Sequence, residues 1–159
     1  MRTIIRRREL VADAWRYAGE AGEAPLVQPL ADFLAGVAAG TAPQQGAGVR
    51  LAPVEDAEQL LPQLARVALV VVDFPKNGDG RGFSQAQLLR QRGRYAGELR
   101  ASGAIHADHM FYLARCGFDA FELAAGVDPR AALAALHSFS VAYQGASDAG
   151  VLARGRRFG

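Results

Sequence analysis

Cysteine is almost missing from this chain. Cys116 stands alone among 159 residues, so no internal disulfide can form and no four-thiolate iron–sulfur cluster can be held. A lone cysteine fits a reducing compartment. Long apolar runs are missing too, and none approaches the roughly 20 residues that a bilayer span requires. Charge arrives with Arg2 and again at Arg6-Arg7-Arg8, too early for a signal peptide. These absences together predict a cytoplasmic protein without a membrane segment. Neither sign of charge dominates: 18 Lys and Arg face 16 Asp and Glu, a formal net charge of +2, which excludes a polybasic protein. The glycines end in no Gly-Lys-Ser/Thr P-loop and form no dinucleotide fingerprint. No Ser-His-Asp arrangement can be assembled.

Half of the residues are hydrophobic and 21% are charged, the balance of an ordinary globular domain that buries a core without staples. Basic residues gather at Arg6-Arg7-Arg8 and between Arg154 and Arg157. No aromatic or groove-reading motif accompanies them, so they read as solvated termini and not as a nucleic-acid interface.

Residues 1–48 read as an N-terminal extension packed on the core. Ile4, Ile5, Leu10, Val11 and Trp15 anchor an extended start, Pro25 to Pro29 is extended, and Leu30 to Val37 is a short helix. Residues 40–48 form a loop rich in Gly, Ala, Pro and Gln. An α/β core follows over 49–148. Strands are expected at Val49–Leu51, Ala68–Val72, Glu98–Ala101, Ala120–Leu123 and Ser140–Tyr143. Between them lie a helix capped by Asp56 and shortened or kinked at Pro62, and a helix capped by Ser84 with Gln87 in a capping box. A helix over 105–116 and one opened by Asp128-Pro129 complete the series. The last residues, 149–159, read as a flexible tail. This alternation predicts a single α/β domain with a parallel sheet, either an open doubly wound sheet or a partial (β/α) barrel. In both, ligands bind beyond the carboxyl ends of the strands.

That rule directs attention to Asp73 through Gly82, which hold two acids, two bases and three glycines before a helix N-terminus. Backbone N–H groups there, with Lys76 and Arg81, suit a small anion or phosphate. The competing reading is a tight loop with Asp73 and Arg81 paired. Asp73 and Lys76 are the candidate catalytic groups. Asp79, Arg81, Ser84 and Arg100 are the candidate ligand-binding groups. Arg100, on the next strand, either orients Asp73 or forms a structural salt bridge with it. Glu122 ends a third strand and is either a further carboxylate in the same mouth or, the favoured reading, a solvated residue; Gln144, after the last strand, is a weaker candidate still. His106, Asp108 and His109 lie within one helical turn and the two histidines share a face, but no third strong ligand is visible, so no metal site is expected. His137 reads as a helix-dipole partner, and Cys116 as a small buried hydrophobe.

Several segments resemble one bacterial family. They are Val72-Asp73-Phe74-Pro75-Lys76, Asp79-Gly80-Arg81-Gly82-Phe83-Ser84-Gln85-Ala86, Leu88-Leu89-Arg90, Gly97-Glu98-Leu99-Arg100-Ala101, Cys116-Gly117-Phe118-Asp119-Ala120-Phe121 and Phe139-Ser140-Val141-Ala142-Tyr143-Gln144. Together they are similar to DUF934, a domain of unknown function. The resemblance implies a protein associated with sulfite reduction and with oxidoreductase chemistry, encoded beside the sulfite reductase haemoprotein and adenylylsulfate reductase. Asp73, Lys76, Asp79, Arg81, Arg100 and Asp108 match positions of the family pattern. The chain departs from it at Asn77-Gly78, where Phe-Thr is usual, and at Ala104, where Asp is usual. His106 and His109 are also particular to this sequence. No flavin, nicotinamide, haem or iron–sulfur motif is visible, so the cofactor is left unassigned. The expectation is an accessory protein of assimilatory sulfate and sulfite reduction that acts with sulfite reductase and binds a small anion at the strand ends. The alternative is a free-standing enzyme, an oxidoreductase or another, with an anionic substrate at the same place, and a third reading is a purely structural subunit whose charged mouth is inert. Oligomeric state cannot be read from the residues.

Overall fold

The structure is a computed structural model that describes residues 1–76 and 79–140. Its strands are β1 (Thr3–Arg6), β2 (Glu9–Ala12), β3 (Arg16–Tyr17), β4 (Leu26–Pro29), β5 (Ala47–Leu51), β6 (Val67–Phe74), β7 (Glu98–Gly103) and β8 (Ala120–Phe121). Helix α1 (Leu30–Ala39) joins β4 to β5, and a 3₁₀ helix (Ala57–Arg66) joins β5 to β6. Helix α2 (Arg81–Gln87) runs into a π turn (Leu88–Arg92) before β7; α3 (Ala107–Arg115) precedes β8 and α4 (Pro129–Ser140) follows it.

All eight strands form one sheet in the order β2-β1-β8-β7-β6-β5-β4-β3. The six strands from β3 to β8 are parallel. The sheet as a whole is mixed, which corrects the expected parallel sheet. The cause is local: only Arg7 and Arg8 separate β1 from β2, too few residues for anything but a hairpin. β1 then adds antiparallel to β8. From β3 to β8 the spatial order follows the chain order without reversal. Every crossover therefore steps the same way, and those from β4 onward land their helices on the same face. The result is a curled half-barrel, not a doubly wound sheet, whose strand order must reverse.

Side-chain alternation divides the sheet into two faces. Ile5, Val49, Leu51, Val70, Val72, Leu99, Ala101 and Phe121 point outward to the helices. They meet Phe33 of α1, Leu60 of the 3₁₀ helix, Leu89 after α2, Met110 and Leu113 of α3, and Leu136 of α4. Burying each large aliphatic side chain here contributes about 1.5–3 kcal/mol. The inner face carries a smaller apolar cluster, Val27, Leu69 and Val71, covered by Trp15 and Tyr17. Gly48 permits that cover, because a Cβ there would lie 2.7 Å from the Trp15 ring.

Two helix starts separate expectation from structure. Asp56 caps as expected, its carboxylate accepting the Glu58 N–H at 2.9 Å. The helix it opens is 3₁₀ throughout, with Pro62 inside it. Proline has no N–H to offer an i−4 carbonyl and its ring collides with it. Ser84 does not cap α2, which begins at Arg81 and leaves Ser84 exposed on its surface. Its buried positions are Gly82, Gln85 and Ala86, followed by Leu89. That helical spacing begins before Ser84, so the helix must too. Of the strand expected at Ser140–Tyr143, Ser140 itself ends α4 instead, whose buried Ala132 and Leu136 keep helical spacing. Residues 141–143 and Gln144 lie outside the described residues, as does the expected tail.

Candidate functional site

Strand register decides which charges share the inner face. Arg50, Val71, Arg100, Ala120 and Arg6 lie in one row across β5, β6, β7, β8 and β1. Asp73 and Ser102 lie in the next row toward the strand ends, and Leu69 and Glu98 in the row before. The hairpin and β3 bring Arg2, Asp13 and Tyr17 over the same face.

Arg100 is the centre of this arrangement and is 0% exposed. Its Nε and Nη2 donate to one Glu98 oxygen at 3.1 and 2.8 Å. Its Nη1 donates to Asp13 at 3.0 Å. The same Asp13 oxygen accepts from Arg2 Nε at 2.8 Å, and the other accepts the Trp15 N–H at 3.1 Å. Burial pushes the Asp13 carboxyl up, but the hydrogen bond and charge of Arg100, helped by Arg2, hold it below the usual carboxylate range. Burial alone would lower the Arg100 guanidinium; Glu98 and Asp13 outweigh it and raise it. Breaking such a pair is costly, since the surviving charge stays buried.

The network continues toward the C-terminal ends of the strands. Arg2 reaches Glu20 at 2.8 Å and Glu122 at 3.7 Å. Tyr17 Oη donates to Glu122 at 2.7 Å. The Arg2 and Arg50 guanidinium carbons lie 4.5 and 5.4 Å from the Tyr17 ring centroid, within cation–π range. Burial and the Glu122 hydrogen bond push the Tyr17 hydroxyl well above its ordinary range, so it stays a donor. Arg50 closes the line on Asp73 at 3.1 Å. At the other end Arg6 lies 3.8 Å from Glu98. Arg2, Arg6, Arg50 and Arg100 thus alternate with Asp13, Asp73, Glu98 and Glu122.

The predicted residues fall into two groups. Asp73 and Arg100 share the inner face, yet Asp73 is paired with Arg50, and Arg100 with Asp13 and Glu98. Lys76, Asp79, Arg81 and Ser84 sit around the start of α2. There Asp79 Oδ1 accepts the Arg81 N–H at 3.1 Å, and its carboxylate holds the Arg81 guanidinium at 2.7 Å. The Arg81 hydrogen bonds lower the Asp79 carboxyl to about 2. Arg81 remains more than half exposed. Lys76 carries no ion pair among the described residues and borders a cavity of about 40 Å³ with Phe74, Phe83, Ile105 and His109. The His106 and His109 ring centroids are 6.1 Å apart. Cys116 is buried, and His137 Nε2 lies 3.3 Å from the Arg8 carbonyl. Of the two readings of Glu122, the structure favours the carboxylate that joins the inner-face charges, since it meets Tyr17 and Arg2.

Reading the sequence by strand ends overlooked Arg2, Asp13, Tyr17 and Arg50. Part of the signal was available. Val49-Arg50-Leu51 and Glu98-Leu99-Arg100-Ala101 alternate apolar and charged residues, the pattern of a strand with one charged face. Apart from the Trp15 N–H two residues on, the partners of Asp13 are guanidiniums 11 and 87 residues away, which no local pattern marks.

No described helix is long and apolar enough to cross a membrane. No curated protein and no solved structure matches the chain. Residues 48–151 match the family described as "Bacterial protein of unknown function (DUF934)". That span covers the strands from β5 to β8 with the 3₁₀ helix, α2, α3 and α4, and so holds Arg50, Asp73, Glu98, Arg100 and Glu122, whereas β1 to β4 and α1, with Arg2, Asp13 and Tyr17, precede it. The chain is a member of the DUF934 family.

Proposed function

We propose that this protein is an accessory factor of assimilatory sulfite reduction. It works beside the sulfite reductase haemoprotein and engages a small oxyanion at the C-terminal rim of the half-barrel. One observation carries the reading. The inner-face charges neutralise one another, while the rim keeps Lys76 without an ion pair among the described residues. Arg50 and Arg81 stand at the same rim with 41% and 57% of their side-chain surface exposed. An anion arriving there meets one uncommitted ammonium and two guanidiniums with donors to spare. Mutual saturation also favours binding over turnover. A catalytic acid or base must be free to exchange its proton with substrate, and Asp73 is held by Arg50.

The test is reconstitution of the full chain with purified sulfite reductase haemoprotein, assayed for complex formation and for sulfite turnover with and without this protein. Complex formation and faster turnover, both reduced by Lys76→Ala, are expected. Neither complex nor rate change would overturn the accessory role. Turnover of an anionic substrate by this chain alone, abolished by Asp73→Asn, would instead establish the free-standing enzyme.

A further inference from the structure

The turn between β1 and β2 consists of Arg7 and Arg8, and both have positive φ, 50° and 66°. A two-residue hairpin demands that conformation, and Asn-Gly or Asp-Gly normally supplies it. An arginine there is strained by its Cβ. The strain is not offset by ion pairing: both side chains are exposed, and neither has an ion pair among the described residues. The backbone is held in place, with the Arg7 N–H donating to the Asp119 carbonyl at 2.8 Å. Side chains kept exposed and without an ion pair on so costly a backbone are candidates for a role outside the fold.

The surroundings of the turn suggest that role. Its tip separates a depression of about 420 Å³, bordered by Arg6, Arg7, Glu9 and Glu98, from one of about 230 Å³, bordered by Arg7, Arg8, Phe118 and Leu136. β6, β7 and β8 begin on this edge of the sheet, and antiparallel β1 ends on it. Arg94, also at positive φ (50°) and exposed, precedes β7 beside a third depression of about 290 Å³. Arg66 directly precedes β6. Three interstrand steps separate β6 from β1, roughly 15 Å. The acids at this edge are largely committed. Glu98 is held by Arg100 and Arg6, and Asp119 by Arg90 and the Leu99 N–H. Glu9 stands exposed beside Arg6.

We propose that this edge docks an acidic segment of a partner protein, with Arg7, Arg8 and Arg94 as the contacting cations. A protein partner fits better than a nucleic acid. The cations are few and separate, and the exposed Glu9 stands beside Arg6, so they do not track a continuous phosphate backbone. Discrete carboxylates can instead meet single guanidiniums, and the depression floored by Phe118 and Leu136 takes an apolar side chain among them. This surface lies opposite the rim invoked above and stands or falls independently of it.

The decisive variant is Arg7→Asn/Arg8→Gly/Arg94→Asn, which removes three charges while relaxing three left-handed positions. The full chain is titrated with a labelled glutamate-rich peptide carrying one phenylalanine, at low and high salt, and with a DNA duplex. Salt-sensitive peptide binding is expected, weakened roughly ten-fold in the triple variant, with an undiminished melting temperature. Lys76→Asn, at the opposite edge, is expected to bind like the parent. Equal binding by the triple variant, or tighter binding of the duplex than of the peptide, would overturn the proposal.

Discussion

Replacing Asp13 by alanine tests the inner-face network directly. Its carboxylate, 1% exposed, accepts from Arg100, Arg2 and the Trp15 N–H. The Arg2 term is discounted, because that side chain is a quarter exposed and water can replace the lost partner. The Arg100 term is not discounted, since its guanidinium has no solvent access and keeps only Glu98. Losing one partner of a buried pair costs about 3–5 kcal/mol; the surviving Glu98 places Asp13→Ala near the lower end, about 3–4 kcal/mol. For a domain of this size that lowers the melting temperature by about 6–16 °C. Asp13→Asn keeps the shape and one acceptor and is expected to lose about half as much. Acid denaturation supplies the sign. The folded Asp13 carboxyl lies below its unfolded value, so its contribution is present above the unfolded carboxylate range and is lost as pH falls through the folded value. The parent therefore loses more stability on acidification than Asp13→Asn. Chemical denaturation curves showing Asp13→Ala within about 1 kcal/mol of the parent would refute the network as a stabilising unit.

Three further outcomes follow from individual contacts. Gly82→Ala places a Cβ 2.5 Å from the Phe74 ring, and overpacking there is expected to cost about 1–3 kcal/mol by denaturant titration. The Asp79 carboxyl, lowered to about 2 by Arg81, is expected to titrate by carbon-detected NMR well below the usual carboxylate range, with the Arg81→Ala variant returning it toward about 3.9. Its contact with Arg81 is present above the unfolded value and lost as pH falls through about 2. Arg7→Asn/Arg8→Gly gives the turn its preferred pair and is expected to raise stability by about 1 kcal/mol, measured by thermal unfolding.

Much of the scaffold was legible because its signals are local. The continuous apolar run at 68–72 reads as a strand covered on both faces, and β6 sits mid-sheet with Leu69 to Val72 buried on both. Asp128-Pro129 opens α4 with an Asp128 carboxylate accepting the Arg130 N–H at 3.0 Å. Ser84 misled because a capping-box pattern competes with the spacing of buried residues, and burial of Gly82 against Phe74 prevailed. Arg7 and Arg8 were legible as charge but not as a turn, since their residue type argues against the conformation they adopt.

Taken alone, the order of residues determined the alternation of strand and helix, the parallel core strands, and the outward apolar face, because each depends on neighbours within a few positions. It also determined membership of the family, through residues that recur in one pattern. Tertiary structure alone decided that β1 and β2 join the sheet antiparallel, that the sheet curls one way, and that Arg100 answers to Asp13 and not to Asp73. Pairing of charges 87 residues apart depends on strand register and on the path of the chain over the inner face. Neither is encoded in any short window of residues.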